Sequence, residues 1–354
     1  MTKFVKGNEA IVIGALYAGC DLYFGYPITP ASEIAHGAAK WFPELGRTFV
    51  QAECETASVN MMFGAAAAGK LCMTATSGPG FSLMQEGISY MAAGELPGVF
   101  VDVMRAGPGL GNVYPEQGDY TPGVKGGGHG NYQCFVLAPA SVQEMCDYTI
   151  KAFEMSAKYR TPAIVFVDGL QGQMMETLVL PEKQKSRPDF SAWAAQGEAK
   201  TRQNLITTIY LDVNQQAEFN DKLQAKYAQM ASDAQGETYR TDDAELMFVA
   251  YGVSSRIAHT AADELRAAGI KAGLFRPITL NPFPREALAA ACKGRKILTV
   301  EHDAGQFADD IRLQLAKAGA GDLATRVEMV HRMGGQVVSV DETVAAAKKL
   351  MANK

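Results

Sequence analysis

Two short stretches hold the residues best suited to chemistry: Phe24-Gly25-Tyr26-Pro27-Ile28-Thr29-Pro30 and Gln51-Ala52-Glu53-Cys54-Glu55. Proline fixes its own φ and restricts the residue before it, so Pro27 and Pro30 pre-organise the backbone of Ile28 and Thr29. Glu55 stands at the start of an alanine-rich helix, where the helix dipole stabilises its anion. A carboxylate there can serve simply as a helix cap. It can also face a nitrogen heterocycle in a dry cleft, where a proton shared with a ring nitrogen is held strongly. Glu53 competes for that role, because strand alternation puts both acids on one side only if the strand runs through both. A rigid loop beside a helix-start carboxylate suits the edge of a cofactor better than a mobile surface.

Three further groups carry weaker signals. Consecutive glycines in Lys125-Gly126-Gly127-Gly128-His129-Gly130 expose backbone N–H groups able to cradle an anion, with Lys125 and His129 adding charge or donors. A flexible loop is the competing reading. Gly78-Pro79-Gly80 is either a tight strand-to-helix turn or a close approach to a cofactor. Glu301-His302-Asp303 has the residue types of a metal or acid/base trio, but neighbours at a strand end point in different directions, which favours structural use.

The elements that must position these groups follow from hydrophobic periodicity. Within a first domain of residues 1–175 the pattern alternates over 7–175. Helices are expected at 8–18, 31–39, 56–68 (closed by Gly69) and 142–156 (capped by Ser141). Strands are expected at 21–24, 48–51, 71–75, 99–104, 134–137 and 163–167. Short apolar strands separated by helices indicate a doubly wound parallel sheet covered on both faces. Residues 176–244 break that rhythm and read as a linker. Within it, 215–230 forms an amphipathic helix with Phe219, Leu223, Tyr227 and Met230 on one stripe, laid against its own chain or a partner subunit. Residues 245–354 return to α/β, with strands at 246–250, 272–275 and 296–300 and helices at 254–268, 284–291 and 306–318.

Composition removes several function classes. The chain has 354 residues, 47% hydrophobic and 20% charged, enough for two domains with sizeable cores. A net charge of −5 without any Lys/Arg block argues against a nucleic-acid binder. The N-terminus lacks the apolar stretch of a signal peptide and no apolar run reaches membrane-spanning length, so a cytoplasmic protein is expected. Cys20, Cys54, Cys72, Cys134, Cys146 and Cys292 are scattered with no Cys-x-x-Cys pair. They read as small buried hydrophobes, and no iron–sulfur cluster or metal is expected on this chain itself.

Taken in order and at compatible spacing, several motifs resemble the α subunit of the 2-oxoacid:ferredoxin oxidoreductases. They are Gly7-Asn8-Glu9-Ala10, Gly25 to Pro30, Gln51 to Glu55, Thr76 to Glu86, and Met104-Arg105-Ala106-Gly107-Pro108-Gly109. The likeness covers nearly the whole chain. It implies a pyrimidine-type thiamine-diphosphate-binding domain followed by a transketolase C-terminal-like α/β domain, the latter marked by Gly252 to Arg256, Arg276 to Pro284 and Val300 to Gln306. It also implies oxidative decarboxylation of a 2-oxoacid to an acyl-CoA with reduction of ferredoxin. Glu55, rather than Glu53, would hydrogen-bond N1′ of the aminopyrimidine. Ile28, Thr29 and Gly78 would lie beside the cofactor. Thr29 and Arg105 would face the substrate carboxylate, Arg105 at a strand's C-terminal edge with a guanidinium able to grip it in bidentate fashion. Lys125 and His129 would stand near the entrance for substrate or coenzyme A.

The chain lacks the Gly-Asp-Gly and downstream asparagines usual for a Mg²⁺–diphosphate site. The resemblance therefore implies a β subunit supplying Mg²⁺ and the diphosphate site, with γ- and δ-type subunits and [4Fe-4S] clusters elsewhere in a hetero-oligomer. The 112–130 loop looks more like the branched-chain members, acting on 3-methyl-2-oxobutanoate, than the 2-oxoglutarate ones. A 2-oxoglutarate enzyme would want a second cation, for which Lys125 or His129 would serve. A non-catalytic scaffold subunit is the reading from another class, and the joint presence of Glu55, Thr29 and Arg105 argues against it.

Overall fold

The computed structural model describes residues 1–352. The first part of the chain runs β1 (Thr2–Lys6), α1 (Gly7–Ala18), β2 (Leu22–Gly25), α2 (Ser32–Glu44) and β3 (Thr48–Gln51). It continues through α3 (Glu55–Ala67), β4 (Cys72–Thr76), α4 (Gly78–Ala93) and β5 (Gly98–Met104). Then come β6 (Phe135–Leu137), α5 (Val142–Tyr159), β7 (Pro162–Asp168), α6 (Gly169–Gln173) and β8 (Met175–Val179). After α7 (Val213–Met230), the second part is β9 (Gly236–Tyr239), β10 (Leu246–Val249), α8 (Gly252–Ala267), β11 (Ala272–Pro277) and β12 (Thr279–Asn281). The chain ends with α9 (Arg285–Cys292), β13 (Lys296–Glu301), α10 (Gln306–Lys317), α11 (Gly321–Ala324), β14 (Val327–His331) and α12 (Val340–Ala352).

Seven strands form the first sheet in the order β12-β6-β7-β5-β4-β2-β3, parallel except for β12. Central β5 and β7 are buried at every position, as strands covered by helices on both faces must be. On one face α1 packs onto α5 at Gly14, where a Cβ would lie 2.5 Å from the Cys146 carbonyl oxygen. On the other, α3 meets α4 at Gly87, where a Cβ would lie 2.4 Å from Val59. The expected strands all form. α2 runs five residues past its expected end and takes Pro43 into its last turn. β1 and β8, which the periodicity did not mark, pair antiparallel as a two-stranded ribbon.

The amphipathic stripe settles on its own chain. α7, capped by Asp212, buries Leu223, Tyr227 and Met230 in the first core with Phe219 partly covered. Lys226 anchors it, its Nζ 3.2 Å from Glu95 Oε1. The second sheet has the order β14-β13-β10-β11-β9, with only β9 antiparallel. Two expected boundaries shift in space. β9 comes from the expected linker yet belongs to the second sheet, and β12 comes from the expected second domain yet pairs with β6 of the first sheet. Among the described residues no helix is long and apolar enough to cross a membrane.

A buried polar relay joins the two parts. Val338 N donates to His302 Nε2 (3.0 Å), so His302 must carry its proton on Nδ1 and donate to Ser254 Oγ (2.9 Å). Ser254 in turn donates to Gln117 Oε1 (2.9 Å), and Gln117 N donates to the His302 carbonyl (2.7 Å). Burial pushes His302 down to about 4. Its ordinary value is about 6.5, so the unfolded chain takes the proton first. The stabilisation is therefore complete above about pH 6.5 and is lost as pH falls toward 4, a swing on the order of 3 kcal/mol. A His302→Gln variant should be less stable at pH 7.5 but lose less stability between pH 6.5 and 4.5. Urea midpoints at several pH values measure this, and parallel curves for variant and wild type would contradict it.

Candidate functional site

The site is built where β2, β3, β4 and β5 end. β3 gives way to an extended residue, Cys54, whose Sγ accepts from Ala57 N at 3.4 Å and caps α3. The turn leaves Glu53 exposed and carries Glu55 inward, where it is 6% exposed. Of the two acids, only Glu55 thus faces the interior. Among the described residues no hydrogen bond reaches the Glu55 carboxylate. It lies instead against the first turn of α4. A Cβ on Gly80 would sit 2.5 Å from Glu55 Oε1 and 2.2 Å from Thr76 Oγ1, so only glycine fits. Thr76 Oγ1 and Ser77 Oγ beside it are buried without a partner. The corner holds an acceptor and two hydroxyls, all without bonds within the chain, which suits a flat nitrogen heterocycle.

Arg105 leaves the end of β5 and bridges two loops. Its Nη1 donates to the Thr29 carbonyl (2.8 Å) and its Nη2 to the Leu110 carbonyl (3.0 Å), while Nε is buried without a partner. The proline loop and the arginine are thus in direct contact, with Thr29 exposed and Ile28 half-buried against the first core. Glu116 locks the loop after Arg105. It accepts from Gly107 N (2.8 Å) and from Gly334 N (2.6 Å) of the second part.

Between the two parts lies a cavity of about 800 Å³. Gly78, Pro79 and Arg105 form one wall and Asp303, Ala304 and Met333 another. Among the described residues Arg105 is the single cation in the lining, against the carboxyls of Glu116, Asp119 and Asp303; Leu83 and Leu110 add apolar surface. Asp119 is one half of a pair that sequence reasoning missed. Its carboxyl lies against that of Asp102, a fully buried residue of β5 whose two oxygens meet no donor in full hydrogen-bond geometry. The available signal was an aspartate inside the otherwise apolar run Val99 to Met104.

The glycine-rich loop behaves differently from expectation. Residues Pro122–Gly126 form a π-helical turn, and Lys125 is ion-paired with buried Asp310, which also accepts from Tyr120 OH (2.7 Å) and Gln314 Nε2 (3.0 Å). Gly127 N is bonded to Gln85 Oε1 and Gly128 N to Tyr132 OH, each at 3.0 Å. Two amides of the expected anion cradle are therefore consumed within the chain. Lys125 borders a smaller hollow of about 260 Å³ that shares Ala304 and Gln306 with the main cavity. His129 is exposed and meets Tyr90 edge-on at 6.0 Å. The Glu301-His302-Asp303 trio diverges only in part: His302 turns away, while Glu301 and Asp303 bring their carboxyls together on one side, contrary to the expectation of three separate directions. Glu301 accepts from Phe307 N and Ala308 N (3.1 Å each) and is pushed up to about 8 by burial and by Asp303. Asp303 Oδ1 caps α10 through Gly305 N and Gln306 N (2.7 Å each), and His302 serves the relay.

Comparison with known proteins gives a consistent answer. Residues 13–243 match the family model described as pyruvate flavodoxin/ferredoxin oxidoreductase, thiamine-diphosphate-binding, and residues 244–343 match pyruvate:ferredoxin oxidoreductase core domain II. The chain is 54% identical over 352 residues to the ketoisovalerate oxidoreductase subunit VorB of Methanothermobacter thermautotrophicus, covering 99% of this chain and 98% of that one. It is 40% identical over 314 residues to the 2-oxoglutarate synthase subunit KorA of Archaeoglobus fulgidus, covering 87% and 90%. A solved 2-oxoglutarate:ferredoxin oxidoreductase from Magnetococcus marinus, with 2-oxoglutarate, coenzyme A and succinyl-CoA bound, matches 99% of this chain with a TM-score of 0.88 and 26% identity. This chain spans 65% of that chain's length. A split-gene transketolase, 15% identical with a TM-score of 0.61, shares the fold. The chain belongs to the 2-oxoacid:ferredoxin oxidoreductase family, with a thiamine-diphosphate-binding first domain.

Proposed function

We propose that this chain is the α-type subunit of a branched-chain 2-oxoacid:ferredoxin oxidoreductase that converts 3-methyl-2-oxobutanoate and coenzyme A to the acyl-CoA. The observation that carries the catalytic reading is Glu55, a carboxylate turned inward without a partner and pressed against Gly80. A carboxylate that takes no hydrogen bond from its own described chain is open to one from a protonated ring nitrogen. When bound, thiamine diphosphate supplies a nucleophilic thiazolium carbon and an electron sink at the 2-oxoacid carbonyl. Glu55 holds a proton at N1′ of the aminopyrimidine. Ile28 and Gly78 offer apolar surface and close backbone approach beside it. Thr29 and Arg105, already in contact, receive the substrate carboxylate, with the guanidinium held to its loops by the Thr29 and Leu110 carbonyls.

Substrate class follows from charge and from likeness. A dicarboxylic 2-oxoacid needs a second cation, yet the cavity lining has one guanidinium and three carboxyls, and Lys125 is committed to Asp310. An aliphatic side chain meets no such penalty beside Leu83, Leu110 and Met333. The 54% identity to a ketoisovalerate oxidoreductase subunit, against 40% to a 2-oxoglutarate synthase subunit, supports the same choice. A β subunit carrying Mg²⁺ and the diphosphate site completes the cofactor pocket. γ- and δ-type subunits with [4Fe-4S] clusters pass electrons to ferredoxin. The isolated, mostly buried cysteines of this chain suit that division of labour. Its cellular setting is the cytoplasm.

In the complex co-expressed with its partner subunits, Glu55→Gln should lower 2-oxoacid-dependent dye reduction by about 100-fold or more while assembly is unchanged. Gly80→Ala should displace the carboxylate and lower the same rate by about tenfold, with the ~1–3 kcal/mol strain of an overpacked site. Normal turnover by Glu55→Gln would return the chain to a scaffold role. For substrate, kcat/KM for 3-methyl-2-oxobutanoate should exceed that for 2-oxoglutarate by at least about 100-fold, the scale set by a buried charge without a partner. The opposite ranking sinks the branched-chain reading.

A further inference from the structure

We propose that Asp119, sharing a proton with buried Asp102, is the general base that takes the proton from the acyl acceptor's thiol in the interdomain cavity; this rests on the function proposed above. Asp102 has no exposed surface, and no donor meets either of its oxygens in full hydrogen-bond geometry. Its carboxyl faces that of Asp119, whose Oδ2 is likewise buried without such a donor. Two carboxyls in contact cannot both ionise, so one proton lies between them. Burial, then the charge of Asp119, raises Asp102 well above the carboxylate range, so Asp102 keeps that proton. Burial also pushes Asp119 up to about 6, with Glu116 adding to the rise and the Asp102 hydrogen bond, the Gly78 amide and Arg105 opposing it. Tyr251 and Asp303 are the other titratable groups on this side. Asp119 is thus an anion at neutral pH with more basicity than an exposed aspartate.

Position selects it among the cavity's acids. Both Glu116 oxygens are taken by the Gly107 and Gly334 amides, and Asp303 Oδ1 is taken by the Gly305 and Gln306 amides, with its Oδ2 buried on the far wall. Asp119 Oδ2 would lie 3.7 Å from a Cβ on Gly78, and Glu55 Oε1 would lie 2.5 Å from one on Gly80. The Gly78-Pro79-Gly80 turn therefore has the proposed cofactor acid at one end and Asp119 at the other. A 2-oxoacid reaches the site already ionised and has no carboxyl proton to give. A thiol, with an ordinary value of about 8.5, arrives protonated and is a poor nucleophile until it loses that proton. In the step the S–H bond breaks, an O–H bond forms on Asp119, and the electron pair stays on sulfur. The proton then leaves through the cavity mouth to water.

The test uses the co-expressed complex with 3-methyl-2-oxobutanoate, in single turnovers with and without coenzyme A. The coenzyme-A-dependent rate of the wild type should fall in acid with a midpoint of about 6. Asp119→Asn should lower the ratio of coenzyme-A-dependent to coenzyme-A-independent rate by about 100-fold and remove that acid limb. Asp102→Leu, which takes away the donor to Asp119, should move the limb up by about one pH unit. The infrared difference between wild type and Asp102→Asn at neutral pH should contain a protonated carboxylic acid carbonyl. An unchanged ratio, an equal fall in both rates, a limb that survives in Asp119→Asn or stays put in Asp102→Leu, or no such carbonyl overturns the inference. A wild-type complex inactive on every 2-oxoacid would instead overturn the functional reading beneath it.

Discussion

The contact between the Glu55 carboxylate and the α-carbon of Gly80 is the constraint around which the rest is arranged. A side chain of any size at residue 80 would occupy the space of that carboxylate. The acid is delivered by the end of β3 and oriented by the Cys54 cap, while the glycine is delivered by β4 and the first turn of α4. Neither element alone makes the site. Their separation is set by β2, which pairs with both β3 and β4 in parallel register. A sheet of this type places its strand ends in one row, which is why ligands of open α/β folds collect there.

A second constraint is the strap of residues 116–120, in which successive side chains are committed to different neighbours. Glu116 ties the loop after Arg105 to Gly334. Gln117 meets Ser254, His302 and the Tyr251 carbonyl. Asp119 turns back to Asp102, and Tyr120 goes to Asp310. Arg105 is therefore braced by the second α/β unit although it belongs to the first. Dense buried polar networks of this kind favour one arrangement, because each misaligned group would lose its only partner.

Much of this was legible in the sequence, for reasons that can be stated residue by residue. Buried parallel strands announce themselves as short apolar runs, so β4, β5, β7, β10 and β13 were read nearly to their ends. Glu55 and the two-proline loop were visible because rigid backbone and a helix-start acid have local signatures. Long-range partners have none. Nothing near residue 125 says that Lys125 will find Asp310, or that the neighbouring amides will be spent on Gln85 and Tyr132. Asp102 did carry a hint, a charge within an apolar strand, but its meaning depended on Asp119 folding over it. β1, β8, β9 and β14 each carry two or more exposed positions, which blurs the apolar runs on which strand recognition rests.

The excursion of β12 also says something about where this polypeptide can be divided. Three residues in the first half of the second unit cover the open rim of β6 with Thr279 and Asn281, and Asn281 Nδ2 adds a bond to the Cys134 carbonyl at 2.7 Å. A break at residue 244, between the two matched family regions, separates the halves on paper while leaving them stitched in space. Either fragment made separately would bare a raw edge with unmatched amides, an invitation to sticky self-association. A cut at the midpoint thus uncovers two strand rims at once, that of β6 and that of β11.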